Sequence, residues 1–200
     1  MLKLIIGSPE LSSWSMRAWL AVRRTGAEFL EETITLDQPN TGEHIARYSS
    51  TGRVPVLIHE NITIEDSLAI SLYMTELKPE SNLLPKERSK RARALSLISE
   101  IHSSFASLRK ECPMKLRNQP QATAISESSQ QDIKRIVQII ESCHGPYMLG
   151  EYSIVDCFMA PLMTRINTYG ISVPQATQTY VKTILSHPHV VEWCEKANQR

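Results

Sequence analysis

Residues 54–77, VPVLIHENITIEDSLAISLYMTEL, carry two strand signals, a turn signal and a helix signal in succession. The two strand signals are runs rich in β-branched residues, and they flank a turn at Glu60-Asn61. The following run has apolar residues at helical spacing, with Asp66 at its start as an N-cap. We therefore predict two strands and then a helix, with Pro55 at the entrance to the first strand.

Pro55 leaves two backbone geometries open. Proline cannot donate to a strand ladder, so it belongs at an edge or a bulge. A cis Val54-Pro55 bond would turn the chain sharply and leave the backbone polar groups of Val54 facing an extended, peptide-like ligand. A trans proline at a strand start is the alternative, and trans is the commoner isomer.

The start of the predicted helix also has two interpretations. Asp66 and Ser67 are typical helix caps. Alternatively, the unpaired amides and positive dipole end of the helix suit a carboxylate, to which the Ser67 hydroxyl would donate. Asp66 would then accept from a neighbouring ammonium group, and the pair would recognise the end group of an α-amino acid.

The residues before this stretch alternate strand and helix signals. The runs are LKLIIG at 2–7 (strand), MRAWLAVRR at 16–24 (helix) and EETITL at 31–36 (strand), with one helical turn expected near 43–48. Together with the later strands and helix, the order is β-α-β followed by β-β-α. This order implies a small mixed sheet flanked by helices.

Strand signals end after this region. Helical patterns follow over residues 91–112, 131–143, 154–166 and 190–197, the third of them apolar almost all round. A Ser153-to-Asp156 pattern before the third helix predicts a structural capping box. We expect an α+β protein with a mixed domain over residues 1–78, a proline-containing linker over 79–89 and an all-helical domain over 90–200.

Composition narrows the function classes. Lys and Arg total 22 against 21 for Asp and Glu, so no charge bias points to nucleic acid or a membrane surface. No apolar run approaches the roughly 20 residues that span a bilayer, and the N-terminus lacks a signal-peptide pattern. The four cysteines, at 112, 143, 157 and 194, have no metal-ligand spacing and are read as reduced thiols. We expect a soluble cytoplasmic protein that holds no metal.

The segment SSWSMR, residues 12–17, places three hydroxyls ahead of the first helix. With GRVPVL and DSLAI it occurs in an order that resembles the cytosolic glutathione transferase superfamily. SSWSMR is similar to the zeta-class SSCSxR signature, GRVPVL to a VPxL pattern and DSLAI to [EQ]SxAI. The likeness covers nearly the whole chain and is strongest over residues 1–95. It implies a thioredoxin-like N-terminal domain, an all-helical C-terminal domain, a cis Pro55 and a homodimer.

The resemblance also implies how a thiol would be activated. Counting back five residues from Arg17 gives Ser12, whose hydroxyl would donate to the sulfur of the co-substrate glutathione. Ser13 could substitute for it. Lowering a thiol pKa of about 8.5 by two units requires roughly 2.7 kcal/mol. One charge-assisted hydrogen bond and the helix dipole together can supply that amount.

For the rest of glutathione, the resemblance places Val54 and Pro55 at the cysteinyl backbone, and Asp66 and Ser67 at the γ-glutamyl end. It places Asn40 near the glycyl carboxylate. Arg53, which precedes Val54, would either assist glutathione binding or be a solvated surface arginine. Two departures from the family pattern are Trp14 in place of cysteine and Asp66 in place of Glu or Gln.

The electrophile site is expected along the helix after the linker and the loop at 110–120. Its candidate residues are His102, Phe105, Arg109, Met114 and Arg117. An arginine pair there would suit a carboxylate-bearing substrate, although Phe105 is also typical of a core and Arg109 of a solvated face.

Three functions remain open from the sequence. The first is a transferase that attacks a small electrophile with the glutathione thiolate. The second is a maleylacetoacetate-type isomerase, which the bulky Trp14 disfavours. The third is a non-catalytic interaction module, against which the set of Ser12, Pro55 and Ser67 argues.

Overall fold

The computed structural model describes residues 1–143 and 145–199. Its strands are β1 (Leu2–Gly7), β2 (Phe29–Ile34), β3 (Val56–His59) and β4 (Ile62–Glu65). Its helices are α1 (Ser13–Arg24), α2 (Thr41–Ala46), α3 (Ser67–Leu77), α4 (Arg88–Ser103), α5 (Ala106–Glu111), α6 (Glu127–Glu141), α7 (Ile154–Thr168), α8 (Gln175–Leu185) and α9 (Pro188–Asn198). A single 3₁₀ turn at Pro79–Ser81 follows α3.

The four strands form one mixed sheet in the order β2-β1-β3-β4. Strand β1 is parallel to β2 and antiparallel to β3, and β3 is antiparallel to β4. Because β1 is central, its residues Leu4, Ile5 and Ile6 are completely buried, which explains why this strand is apolar on both faces. The predicted mixed sheet is confirmed, and the Val54-Pro55 bond is cis.

Helix α7 is the centre of the helical half. Every residue from Ile154 to Ile166 is buried, as expected for a helix that is apolar almost all round. It packs against α1, α4 and α8, so it joins the sheet side of the molecule to the helical side. The expected capping box of Ser153 and Asp156 is present at its start.

One prediction about the helical half was wrong, and one helix was missed. The helix expected over residues 91–112 is two helices, because α4 ends at Ser103 and Phe105 adopts a left-handed backbone with φ of 66°. This turn puts the Phe105 ring in the core, where only 3% of the residue is exposed. Helix α8, Gln175–Leu185, was not anticipated, because its buried positions include polar-tipped side chains such as Thr177 and Tyr180.

The segment predicted as a linker packs against the protein. Leu83 and Leu84 are buried, and the Ile154 amide donates to the Leu83 carbonyl at 2.9 Å. The predicted limits of the two domains stay a prediction.

Within the described ranges, no helix is long and apolar enough to cross a bilayer. The same residues hold no group of three or more His, Cys, Asp or Glu side chains placed to bind a metal ion.

Candidate functional site

The serines at the start of α1 are nearly buried and bonded within the protein. Ser12 caps the helix: its Oγ accepts from the Ser15 amide at 3.3 Å and donates to Ser15 Oγ at 2.8 Å. Ser15 Oγ also accepts from the Gly7 amide at 3.0 Å, which ties the helix start to the end of β1. The Ser12 proton is therefore directed into the protein.

Ser13 faces the helical half instead. Its Oγ accepts from Arg165 Nη2 at 3.2 Å. Arg165 lies on α7, is held by the carbonyls of Cys112 and Pro161, and has its pKa lowered to about 10 by burial. Within residues 1–143 and 145–199 the Ser13 hydroxyl has no acceptor for its own proton. Ser13 thus remains available as a donor, next to a guanidinium.

The start of α3 combines an unusual backbone with an unpaired hydroxyl. Asp66 has φ of 81°, a left-handed conformation, and its Oδ1 accepts from the amides of Leu68 at 2.7 Å and Ala69 at 3.3 Å. Ser67 is fully buried, and its Oγ has no hydrogen-bond partner in the described part of the chain. Strained backbone and an unsatisfied buried donor are both typical of functional sites.

Glu65 fixes the loop that leads to the cis proline. Its carboxylate accepts from the hydroxyls of Ser49 and Ser50, both at 2.7 Å, and from the Thr51 amide at 3.1 Å. These hydrogen bonds lower the pKa of Glu65 to about 2. Because Glu65 ends β4, the loop before Pro55 is anchored to the sheet.

Trp14 is the centre of a cationic cluster between the sheet side and the helical side. The Cζ atoms of Arg17 and Arg109 lie 4.5 and 5.4 Å from the Trp14 ring centroid. The His102 ring is 5.1 Å from Trp14, edge to face. The Arg17 Cζ atom also lies 5.2 Å from the Phe158 ring centroid. We refer to Trp14, Arg17, His102, Arg109 and Phe158 as the Trp14 cluster.

The two arginines of the Trp14 cluster differ in their acceptors. Arg109 donates to the carbonyls of Ser104 at 3.0 Å and Ile101 at 2.6 Å. Arg17 is fully buried, and none of its guanidinium nitrogens has an acceptor among the described residues. Burial, then repulsion from Arg109 and Arg165, holds the pKa of Arg17 well below its usual value. Burial also lowers the pKa of Arg109 to about 10 and lowers that of His102, against the attraction of Asp66.

Both helix starts border this cluster. Helices α1 and α3 pack together, and Asp66 Oδ2 lies 3.5 Å from His102 Nε2. The sequence analysis named His102 and Arg109 as candidate site residues. It used Arg17 only as the motif position from which Ser12 was located. A single sequence does not reveal that an arginine is buried without an acceptor, because tertiary packing determines which groups surround it.

Other predicted residues lie outside the cluster. Phe105 and Met114 are core residues, each 3% exposed. Arg117 donates to the Ala197 carbonyl at 2.7 Å and lies 3.7 Å from Glu10. It shares no partner with Arg109, which donates to the Ser104 and Ile101 carbonyls, so the two arginines do not form the expected pair. Asn40 and Arg53 are exposed. Their predicted roles stay predictions.

Comparison with protein families and curated relatives gives matches over most of the chain. The family model for the glutathione S-transferase N-terminal domain matches residues 11–77. Glutathione S-transferase 1 of Dianthus caryophyllus is 27% identical over 184 residues, covering 86% of this chain and 82% of that one. The maleylacetoacetate isomerase of Rattus norvegicus is 26% identical, with coverage of 86% and 82%. A stringent starvation protein A homolog of Pasteurella multocida is 24% identical, with coverage of 78% and 72%.

Solved structures share the fold over nearly the full length. A glutathione transferase homolog from Burkholderia gl BGR1, with bound glutathione, has a TM-score of 0.75 at 23% identity, covering 99% of this chain and 98% of that one. The unclassified glutathione S-transferase 2 of Bombyx mori has a TM-score of 0.80 at 21% identity, with coverage of 99% and 94%. These likenesses establish a thioredoxin-like sheet domain followed by a helical domain.

Proposed function

We propose that the chain is a cytosolic glutathione transferase, as its N-terminal family match and its relatives of that name support. In this function it binds glutathione, ionises the thiol and directs the thiolate at a small electrophile. In the reaction the thiol proton passes to solvent and a carbon–sulfur bond forms. The leaving group departs with the electron pair of the bond that breaks. The observation that carries the proposal is the buried Ser67 hydroxyl without a partner in the described chain.

The γ-glutamyl end of glutathione fits the start of α3. Its carboxylate would accept from the Ser67 hydroxyl, at the positive end of the helix dipole. Its ammonium would face the Asp66 carboxylate, which is about half exposed. Val54, before the cis bond, would pair its backbone with the cysteinyl residue as an added strand does. Asn40 near the glycyl carboxylate and Arg53 beside it rest on the family resemblance alone.

Ser12 and Ser13 differ as donors to the sulfur. The Ser12 proton is already used by Ser15, whereas Ser13 accepts from Arg165 and keeps its own proton. The positive charge on Arg165 also makes Ser13 the stronger donor, because a hydroxyl that accepts from a cation donates more strongly. We therefore assign thiolate stabilisation to Ser13, with Ser12 as the cap that positions it.

Two measurements test this function. Calorimetry should show glutathione binding, and ultraviolet absorbance should show the pKa of the bound thiol well below the ordinary value of about 8.5. Ser13→Ala should return that pKa most of the way to the ordinary value, whereas Ser12→Ala should change it less. The reverse order would reassign the donor to Ser12, and no heat with glutathione would leave a non-catalytic module.

A maleylacetoacetate-type isomerase is the second candidate, favoured by relatives of that name in rat and mouse. Assay of maleylacetone against 4-chloro-3-nitrobenzoate, an aryl halide that also carries a carboxylate, separates the two reactions. We expect the aryl halide to be the better substrate, because the Trp14 indole occupies the space of the cysteine in the zeta signature. Cytoplasmic location and assembly as a homodimer remain part of this proposal.

A further inference from the structure

Arg17 is a buried cation that the protein itself does not satisfy. A guanidinium carries five N–H donors and stays charged in proteins. Burying such a group without acceptors costs several kcal/mol, so it is rarely retained without a partner. All three Arg17 nitrogens, Arg109 Nη1 and His102 Nδ1 are buried and lack acceptors within the described ranges. These donors belong to one cluster around a single indole.

The nearby carboxylates are already engaged. Asp66 accepts from two amides of α3 and pairs with His102. Asp132, which acts on Arg109, accepts from the Leu108 amide at 3.0 Å. The Trp14 cluster therefore has more positive charge than its neighbours neutralise.

The Trp14 indole is the least restrained of the three tryptophans. The indole nitrogens of Trp19 and Trp193 donate to Glu31 at 2.7 Å and to the Pro9 carbonyl at 3.0 Å, and both rings are buried. Trp14 is 36% exposed, and its indole nitrogen has no hydrogen bond to the rest of the described chain. Trp14 is held by stacking alone, and it covers the Arg17 guanidinium.

We propose that Arg17 and Arg109 form a binding site for a carboxylate on the electrophilic substrate, and that the Trp14 ring moves off Arg17 when this carboxylate enters. The proposal rests on the transferase function above. The planar Arg17 guanidinium matches a carboxylate with two parallel hydrogen bonds. Arg109 would add its Nη1, since its other nitrogens donate to backbone carbonyls. The Trp14 and Phe158 rings, which both lie within 5.2 Å of the Arg17 guanidinium, favour a carboxylate carried on an aromatic ring.

The occupant is the second substrate rather than glutathione. The γ-glutamyl carboxylate has its own donor in Ser67. The Trp14 cluster also includes residues of α4, α5 and α7, which belong to the helical half. An electrophile held there would lie close to Ser13, because Ser13 directly precedes Trp14 in the first turn of α1.

Kinetics with a matched substrate pair test the carboxylate site. The pair is 4-chloro-3-nitrobenzoate and the neutral 4-chloro-3-nitrobenzamide, which react with glutathione at the same carbon and release chloride. Arg17→Met should lower the acid-to-amide ratio of kcat/KM about 10- to 100-fold, the range for a hydrogen bond to a charged group. Arg91→Met, an exposed arginine on α4, should leave both rates unchanged. An unchanged ratio in Arg17→Met would overturn the proposal.

A second measurement needs neither glutathione nor turnover. Unreactive benzoate should raise the quenching of tryptophan fluorescence by acrylamide in the original chain, because Trp14 swings outward. Arg17→Met and Trp14→Phe should both lose this benzoate-dependent change. If benzoate leaves quenching unchanged in the original chain, the anion site is wrong even where the amide is turned over. If instead the amide fails to react while benzoate still acts on Trp14, the transferase function fails and the anion site stands.

Discussion

Two buried polar clusters, one around Asp156 and one around Arg17, differ in whether the chain supplies hydrogen-bond partners for the charged group. Both residues are fully buried. Asp156 accepts four hydrogen bonds, from the Met148 amide, the Ser153 amide and hydroxyl, and the Tyr180 hydroxyl, at 2.9 to 3.0 Å. Arg17 finds no acceptor in the described residues. A charge that supports the fold is satisfied by the chain, whereas one left unsatisfied is explained by a ligand.

The Asp156 cluster joins segments that are distant in the chain. Through one carboxylate it connects the start of α7, the loop at Met148 and helix α8. Burial raises the pKa of this carboxyl, and the four donors act in the opposite direction. The cluster is therefore a structural junction, although Ser153 and Asp156 show the same serine–acid pattern that marks functional helix starts elsewhere.

Asp156→Ala should have the largest effect on stability. Removing the carboxylate leaves buried donors on Met148, Ser153 and Tyr180 without an acceptor, and each unsatisfied group costs about 1–3 kcal/mol. We expect the free energy of unfolding to fall by about 3–5 kcal/mol, the range for breaking a buried charged network. Urea unfolding measures it. A loss below about 1 kcal/mol would mean that solvent replaces the carboxylate, and the two clusters would no longer differ.

Arg17→Met should change stability in the opposite direction. Methionine keeps most of the apolar stem of the side chain, and it removes a cation that lacks an acceptor in the described residues. Replacing buried charges with apolar side chains is often neutral or stabilising by about 1–4 kcal/mol. We expect the urea midpoint to rise. A clear fall would show that Arg17 is satisfied in solution and would weaken the contrast with Asp156.

The sequence predicts the local parts of both clusters. The Ser153–Asp156 capping box and the apolar α7 depend on short-range spacing, and the structure confirms both. Helix α1 was predicted to begin at Met16, but it begins at Ser13 because Ser12 caps it. The sequence pattern also predicted that Pro55 lies at the entrance to a strand. The prediction of a cis Val54-Pro55 bond came from the family resemblance. Each of these features depends on a run of at most 15 consecutive residues.

The long-range parts could not be predicted. Tyr180 reaches Asp156 across 24 positions, and it lies on α8, which the pattern missed. The break at Phe105 depends on how its ring packs, because its periodicity continues that of α4. The missing acceptors of Arg17 result from three elements that meet around it. One sequence reports which residues are polar, but tertiary packing sets which of them find partners.

Ser67→Ala and Ser153→Ala form a matched pair at two helix starts. Ser67 has no partner in the described chain, so its loss should change unfolding by less than about 0.5 kcal/mol. It should weaken glutathione binding about tenfold or more, the scale of a hydrogen bond to a carboxylate. Ser153→Ala should cost about 1 kcal/mol, as for a lost cap, and leave glutathione affinity unchanged. Equal stability losses would contradict the distinction between a ligand donor and a structural cap.

The smallest effect should be a pH dependence that differs in sign between Glu65 and Asp156. The folded pKa of Glu65 is about 2, below the unfolded value. Its contribution is therefore complete above about pH 4.5 and is lost as the pH falls toward 2. Burial raises the folded pKa of Asp156, so its contribution is complete below its unfolded pKa and declines as the pH rises through the folded one. Urea midpoints between about pH 2 and 5 should rise less steeply with pH in Glu65→Gln, and more steeply in Asp156→Asn. If the urea midpoints of the two variants depend on pH in the same way, the pKa values of Glu65 and Asp156 are not shifted in opposite directions.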